Sequence, residues 1–137
     1  MNTQINVYLT FNGNAKEAMT FYKDVLGGEL SVMKVSDTPV KDKAPADNMD
    51  KVMHASLVNG NLILFATDMI AEGKFNEGTG VTMNLNCSID YIQNFFDKLS
   101  EGGEVIHPVK EEFWGGSFGV LRDKFGKKWM LHAENKK

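Results

Sequence analysis

Phe21-Tyr22-Lys23-Asp24-Val25-Leu26-Gly27-Gly28-Glu29-Leu30 returns in altered form as Phe95-Phe96-Asp97-Lys98-Leu99-Ser100-Glu101-Gly102-Gly103-Glu104-Val105. Each copy reads as a helix end with an aromatic pair, then Gly-Gly-Glu and an aliphatic residue. Glycines at that point suit a left-handed helix C-cap and a turn into a strand. The copies are offset by 74 to 75 residues, about half of the 137-residue chain. A unit this long, present twice, predicts a duplicated module and not a solenoid.

Working outward, the helices show themselves by their stripes. Ala18, Phe21, Tyr22, Val25 and Leu26 follow one buried helical face, and Ile92, Phe95, Phe96 and Leu99 follow another. Asn14 with Glu17, and Asp90 with Gln93, have the spacing of a capping box at each start. A period-two segment precedes each helix. Ile5, Val7, Leu9 and Phe11 alternate with Asn6, Tyr8 and Thr10; Val81, Met83, Leu85 and Cys87 alternate with Thr82, Asn84 and Asn86. Both predict strands with one apolar and one polar face. Further strands are predicted over residues 29–35, 52–58 and 62–67, and over 104–110, 117–122 and 128–133. Asn59-Gly60-Asn61 marks a hairpin. Residues 36–50, with Pro39 and Pro45, read as a mobile loop. The order is β-α-β-β-β twice. This gives an α+β fold in a single domain, residues 1–137, with modules over 1–68 and 79–137 and a glycine-bearing linker at about 68–80.

Bulk properties narrow the function. A net charge of −3 and a pI of about 5.6 argue against nucleic acid or an anionic membrane as partner. Cys87 is the one cysteine, so neither an intrachain disulfide nor a cysteine zinc cluster can form. Residues 1–11 lack the basic and apolar regions of a signal peptide, and no stretch reaches the roughly 20 apolar residues of a membrane span. A soluble, cytoplasmic protein is expected.

Tyr8-Leu9-Thr10-Phe11-Asn12-Gly13-Asn14, then Ala15, Ala18, Phe21 and Tyr22, form one group of motif residues. Phe113-Trp114-Gly115, Phe118-Gly119, Asp123, Phe125-Gly126 and Trp129 form a second. Together they resemble the vicinal oxygen chelate superfamily, which holds glyoxalase I, bleomycin-resistance proteins, fosfomycin-resistance enzymes and extradiol dioxygenases. Within it the chain is similar to the PhnB-like branch, whose members often carry the label 3-demethylubiquinone methyltransferase. The resemblance implies paired βαβββ modules, their mixed sheets curled into a cup. In metal-dependent members the cup holds a divalent ion on His, Gln or Glu from the first and last strands of each module. Here those slots fall on Asn6, with Tyr8 next on the same face, on Val81 or Thr82, and on Met130, while residues 62–67 offer no acid or imidazole. A hard ion wants several oxygen or imidazole ligands. The expectation is a metal-free cup with no cofactor.

The pocket is expected to use the polar strand faces, Asn6, Tyr8, Thr10, Thr82, Asn84 and Asn86, together with His54, Trp114, Met130 and His132. His54, read on one face with Val52, Ser56 and Val58, is the best candidate acid or base, because an ordinary imidazole titrates near working pH. His107, before Pro108, sits at a strand irregularity. Glu111 and Glu112 alternate in direction and read as a solvated edge; Gly115-Gly116 suggests a hairpin turn and Gly119 a close backbone approach. Trp114 is open between walling a pocket and packing, Trp129 is read as packing, and Cys87 as a core residue. No glycine-rich nucleotide loop precedes a helix, so a methyltransferase of the nucleotide-binding fold is not expected. The leading expectation is binding of a small organic molecule by a homodimer. The alternatives are a metal-dependent lyase, isomerase, dioxygenase or transferase on a vicinal-oxygen substrate, and a structural partner domain without a small ligand.

Overall fold

A computed structural model describes residues 3–39, 42, 48–70 and 74–134. In it Gly27 caps the first helix as expected, whereas the second is capped at Ser100 and Gly102-Gly103 lie in the turn that leads to the next strand. The chain divides into two compact units, Met1–Phe75 and Asn76–Lys137. The first holds β1 (Val7–Thr10), α1 (Ala15–Leu26), β2 (Glu29–Lys34), a 3-10 turn (Val35–Asp37), β3 (Val52–Asn59) and β4 (Leu62–Thr67). The second holds β5 (Met83–Asn86), α2 (Ile92–Leu99), β6 (Glu104–Glu111), β7 (Gly116–Arg122) and β8 (Lys128–Glu134).

Both units have the same topology. The sheet orders are β1-β4-β3-β2 and β5-β8-β7-β6, each four-stranded and open. The first strand of a unit pairs parallel with the last, and the remaining pairs are antiparallel. This is the α+β architecture of two βαβββ units that the glycine repeat predicts. The helix covers one sheet face. In the first unit that face supplies Leu9, Leu64, Ala66, Ala55 and Leu57 to a core with Ala15, Ala18, Met19, Tyr22 and Leu26 of α1. In the second, Met83, Trp129, Leu131, Ala133 and Leu121 meet Ile92, Phe96 and Leu99. Each fully buried large side chain contributes about 1.5–3 kcal/mol. The opposite face of each sheet carries the site residues.

Several expectations are corrected. The starting strands are shorter than their alternation predicts, and Ile5 and Val81 lie outside them, 97% and 81% exposed. Met19 is a buried residue that the stripe missed, while Phe21, Val25 and Phe95 are only half-buried. Neither capping box forms. Asn14 makes no side-chain cap bond, α2 is capped at Tyr91, and Gln93 donates instead to Asp97 at 2.8 Å. The first helix is capped from a distance. Asp68, 4% exposed, accepts from the amides of Gly13 at 3.0 Å and Ala15 at 2.9 Å with one oxygen, and from Val52 at 2.8 Å with the other. Asp68 is thus a buried knot joining α1, β3 and β4, and not the start of a loose linker. The expected loop over 36–50 begins in the 3-10 turn; residues 40, 41 and 43–47 of it, and 71–73 of the expected linker, lie outside the described residues. Among the described residues no helix is long and apolar enough to cross a membrane.

Candidate functional site

On β3 the strict alternation breaks once. Met33 of β2 faces His54, but Lys34 faces Val52, so Met53 is bulged out of register. The extra residue turns Val52 into the core, 1% exposed, and leaves His54 half-buried. Val52 and His54 therefore do not share a face. On that face β1 brings Tyr8 and β4 brings Phe65 directly opposite each other. The Tyr8 hydroxyl and His54 Nδ1 share a hydrogen bond of 2.9 Å. The rings of Tyr8, His54 and Phe65 pack with centroids 5.3 to 5.9 Å apart. Asn6 and Thr10, half-buried, flank this cluster along the chain.

The second unit builds a longer aromatic surface. β7 and β8 place Phe118 opposite His132, and β5 places Asn86 beside His132 and Asn84 beside Met130. Trp114, in the turn between β6 and β7, folds back over Gly116; a Cβ there would sit 2.0 Å from the indole, so only glycine leaves room. The indole stacks on His132 at 5.0 Å and 26° and tilts toward Phe118 at 6.2 Å. Phe118 in turn stacks on His107 at 4.6 Å and 18°. The result is one row of rings, His107–Phe118–Trp114–His132. Trp114 is 48% exposed. It therefore lines an open surface and is not core.

Polar groups stand at both ends of the row. At the His132 end lies a shallow depression of about 500 Å³, lined among others by Asn86, Cys87, Ser88, His132 and Glu134. The Asn84 amide donates to the Asn86 side-chain oxygen at 3.1 Å. Thr82 is half-buried and precedes β5, so it is not carried by the strand. Cys87 also lies beyond β5, only half-buried, which corrects its reading as a core residue. Burial pushes its thiol above the ordinary range. The thiol form is a poor nucleophile. Native protein near neutral pH is expected to react with iodoacetamide more slowly than free glutathione does; an equal or faster rate of alkylation would contradict this.

At the other end, β6 is an edge strand, which tolerates Pro108 and carries register shifts on both sides of His107. The His107 Nδ1–H donates to the Pro108 carbonyl at 2.9 Å, since a carbonyl only accepts. Nε2 then faces Glu112 Oε1 at 3.7 Å. That oxygen is buried and has no hydrogen-bond partner among the described residues. Glu112 is thus not part of a solvated edge, whereas Glu111 is exposed. Gly119 makes the expected close approach: a Cβ there would meet Phe96 at 2.7 Å and Val109 at 2.9 Å. Trp129 packs as expected, 2% exposed, its indole N–H donating to buried Asp123 at 2.8 Å.

Of the residues expected in the pocket, Tyr8 and His54 come together in the first unit. Asn84, Asn86, Trp114, Met130 and His132 share one face in the second. Phe65, Phe118, His107 and Glu112 complete the two clusters and were not among them. Phe65 and Phe118 could have been found by continuing the period of two from Ile63 and Val120. The divalent ion of the wider fold family does not fit these donors. The slots that the resemblance gives it fall on Asn6, on Val81 or Thr82, and on Met130, and β4 offers no acid or imidazole, so weak oxygen donors and a thioether stand where several oxygen or imidazole ligands are needed. Among the described residues no three His, Cys, Asp or Glu side chains gather closely enough to hold an ion.

Comparison with known proteins follows the same outline. Residues 3–132 match the model of a family described as 3-demethylubiquinone-9 3-methyltransferase. The chain is 28% identical to protein YjdN of Escherichia coli (strain K12), covering 94% of each chain. It is similar to the crystal structure of protein PA1353 from Pseudomonas aeruginosa, with 38% identity, 98% of this chain and 100% of that one covered, and a TM-score of 0.88. The PhnB protein from Bacillus cereus shares 24% identity, with 96% and 99% covered and a TM-score of 0.73. A glyoxalase/bleomycin resistance protein/dioxygenase from Nocardioides shares the fold alone, at 16% identity, with 99% and 87% covered and a TM-score of 0.58.

Proposed function

This chain belongs to the 3-demethylubiquinone-9 3-methyltransferase family, in the PhnB-like branch of the vicinal oxygen chelate superfamily, and from that premise we propose that it binds a small, flat organic molecule on the ring surface of its second unit. The observation that carries this reading is the row His107–Phe118–Trp114–His132, with Trp114 half exposed on an open sheet face. The exposed Trp114 indole, held in place by His132 and Phe118, offers a ligand ring offset stacking of about 0.5–1.5 kcal/mol beyond the area it buries. Asn84, Asn86 and His132 supply a few directional polar groups beside that surface, the mixture that small-molecule sites use. The ligand stays intact in this reading; the sheet face holds it without metal chemistry.

The test is a titration of flat heteroaromatic fragments followed by tryptophan fluorescence and by thermal melts. Binding partners are expected to be flat, and to quench Trp114. Trp114→Ala should weaken them about tenfold or more, with Trp114→Phe retaining most of the affinity. Fragments that raise the melting temperature of wild type and of Trp114→Ala equally would overturn the assignment.

A further inference from the structure

We infer that the ligand of this face is a neutral cyclic amide, a flat ring system with a carbonyl and an N–H side by side, read by the side-chain amides of Asn84 and Asn86. The inference rests on the ligand-binding reading above and names the ligand's class. It starts from a strand whose sequence does not suit it. β5 reads Met83-Asn84-Leu85-Asn86 and forms an edge of its sheet. Asparagine is depleted from strands, where its short amide competes for backbone hydrogen bonds. Natural edges are often blunted by charge or proline, and β5 has neither. Residues that break a local rule concentrate at functional positions.

The two amides are spent on each other only in part. Asn84 donates one N–H to the Asn86 side-chain oxygen at 3.1 Å, and both residues are exposed. That bond leaves the Asn84 oxygen to accept and the Asn86 N–H pair to donate, and neither has a further partner among the described residues. Turning both amides over gives the same inventory, one free acceptor and one free donor group. A carboxylate only accepts and an ammonium only donates, so each answers half of the pair. A lactam, imide or ureide ring answers both: its carbonyl accepts from one asparagine and its N–H donates to the other.

The pair is also placed for a ring held at Trp114. His132 of β8 is the neighbour of Asn86, at the strand spacing of about 4.8 Å, and it carries the indole at 5.0 Å. Asn86 and His132 both line the shallow depression of about 500 Å³. A two-ring ligand with its polar edge in the depression reaches the indole with its other end, without entering between His132 and Trp114.

The experiment is a ligand-observed NMR titration with two probes, alongside thermal melts. Quinolin-2(1H)-one presents the carbonyl and the N–H; 2-methoxyquinoline keeps the rings and has neither. The proteins are wild type, Asn84→Val, Asn86→Val, Trp114→Ala and, as control, Asn94→Ala at an exposed asparagine of α2. Wild type is expected to bind the quinolinone about tenfold or more tighter than the methoxy compound. Either valine variant should cut that preference to about threefold or less, bind 2-methoxyquinoline as wild type does, and melt at or above the wild-type temperature, since valine suits a strand better. Asn94→Ala should keep the preference. Equal binding of the two probes, a preference that survives in either valine variant, or a valine variant that melts well below wild type overturns the amide reading; if Trp114→Ala still weakens both probes, the ring surface stands without it. If neither probe binds wild type, or Trp114→Ala changes neither, the ring surface falls and the amide reading with it.

Discussion

Asp68→Ala should cost the first unit about 3–5 kcal/mol, a loss large enough to unfold many small domains. One carboxylate there serves three backbone amides, those of Gly13, Ala15 and Val52, at 2.8 to 3.0 Å, and it is 4% exposed. Alanine would leave the three donors facing a void, each costing about 1–3 kcal/mol, partly offset where water enters. It would also remove a negative charge from the N-terminus of α1, where the helix dipole favours one. Asp68→Asn keeps an accepting oxygen and is expected to lose about half as much. Urea unfolding followed by circular dichroism measures both. A loss under about 1 kcal/mol for alanine would show that the knot does not hold the unit together. Both tryptophans belong to the second unit, so their fluorescence in the same titration reports whether that unit follows.

Gly28→Ala is expected to destabilise by about 2–4 kcal/mol, from two sources that add. Its φ of +101° is a left-handed conformation that alanine adopts at a cost, and a Cβ there would lie 2.5 Å from the Val58 carbonyl oxygen. Backbone cannot swing aside as a side chain can. Gly27→Ala is the control. It has a φ of +77°, but its Cβ would meet only the Asn59 amide, at 3.4 Å, so about 1–2 kcal/mol is expected. In the second copy the two duties separate. Gly102 carries the positive φ, +76°, and Gly103 the close approach, 2.2 Å from the Arg122 carbonyl oxygen. Thermal melts of the two alanine variants decide the matter, and equal shifts for Gly27 and Gly28 would refute the backbone clash.

The fold was legible in the sequence because its signals are local. Period-two runs, helical stripes and the repeated Gly-Gly-Glu depend on neighbours within a few residues, and the structure follows them to within a residue or two for β2, β3, β4, β6, β7 and β8. The misses have a common cause in interactions that span the chain. Asn14 looks like a cap by its spacing, yet the cap comes from Asp68, more than 50 residues away. Val52 looks like a partner of His54 until the bulge at Met53 turns it inward. The candidate site was half legible. Trp114, His132, Asn84 and Asn86 follow from strand faces and a turn, but Glu112 gains its meaning only from a histidine whose tautomer a carbonyl sets.

The parallel pairing of β1 with β4 bears on how the protein is made. The hydrogen-bond partner of β1, Leu64–Thr67, is synthesised some 57 residues after it, and the Asp68 that caps α1 follows directly after that partner. At about 5–20 residues per second, the nascent β1 and α1 wait several seconds or more with an open strand edge and an uncapped helix. The second unit repeats the delay, since Met83–Asn86 must wait for Trp129–His132. Each half of the protein therefore closes only when its last strand arrives, and until then the exposed early strand is the segment most in need of a chaperone.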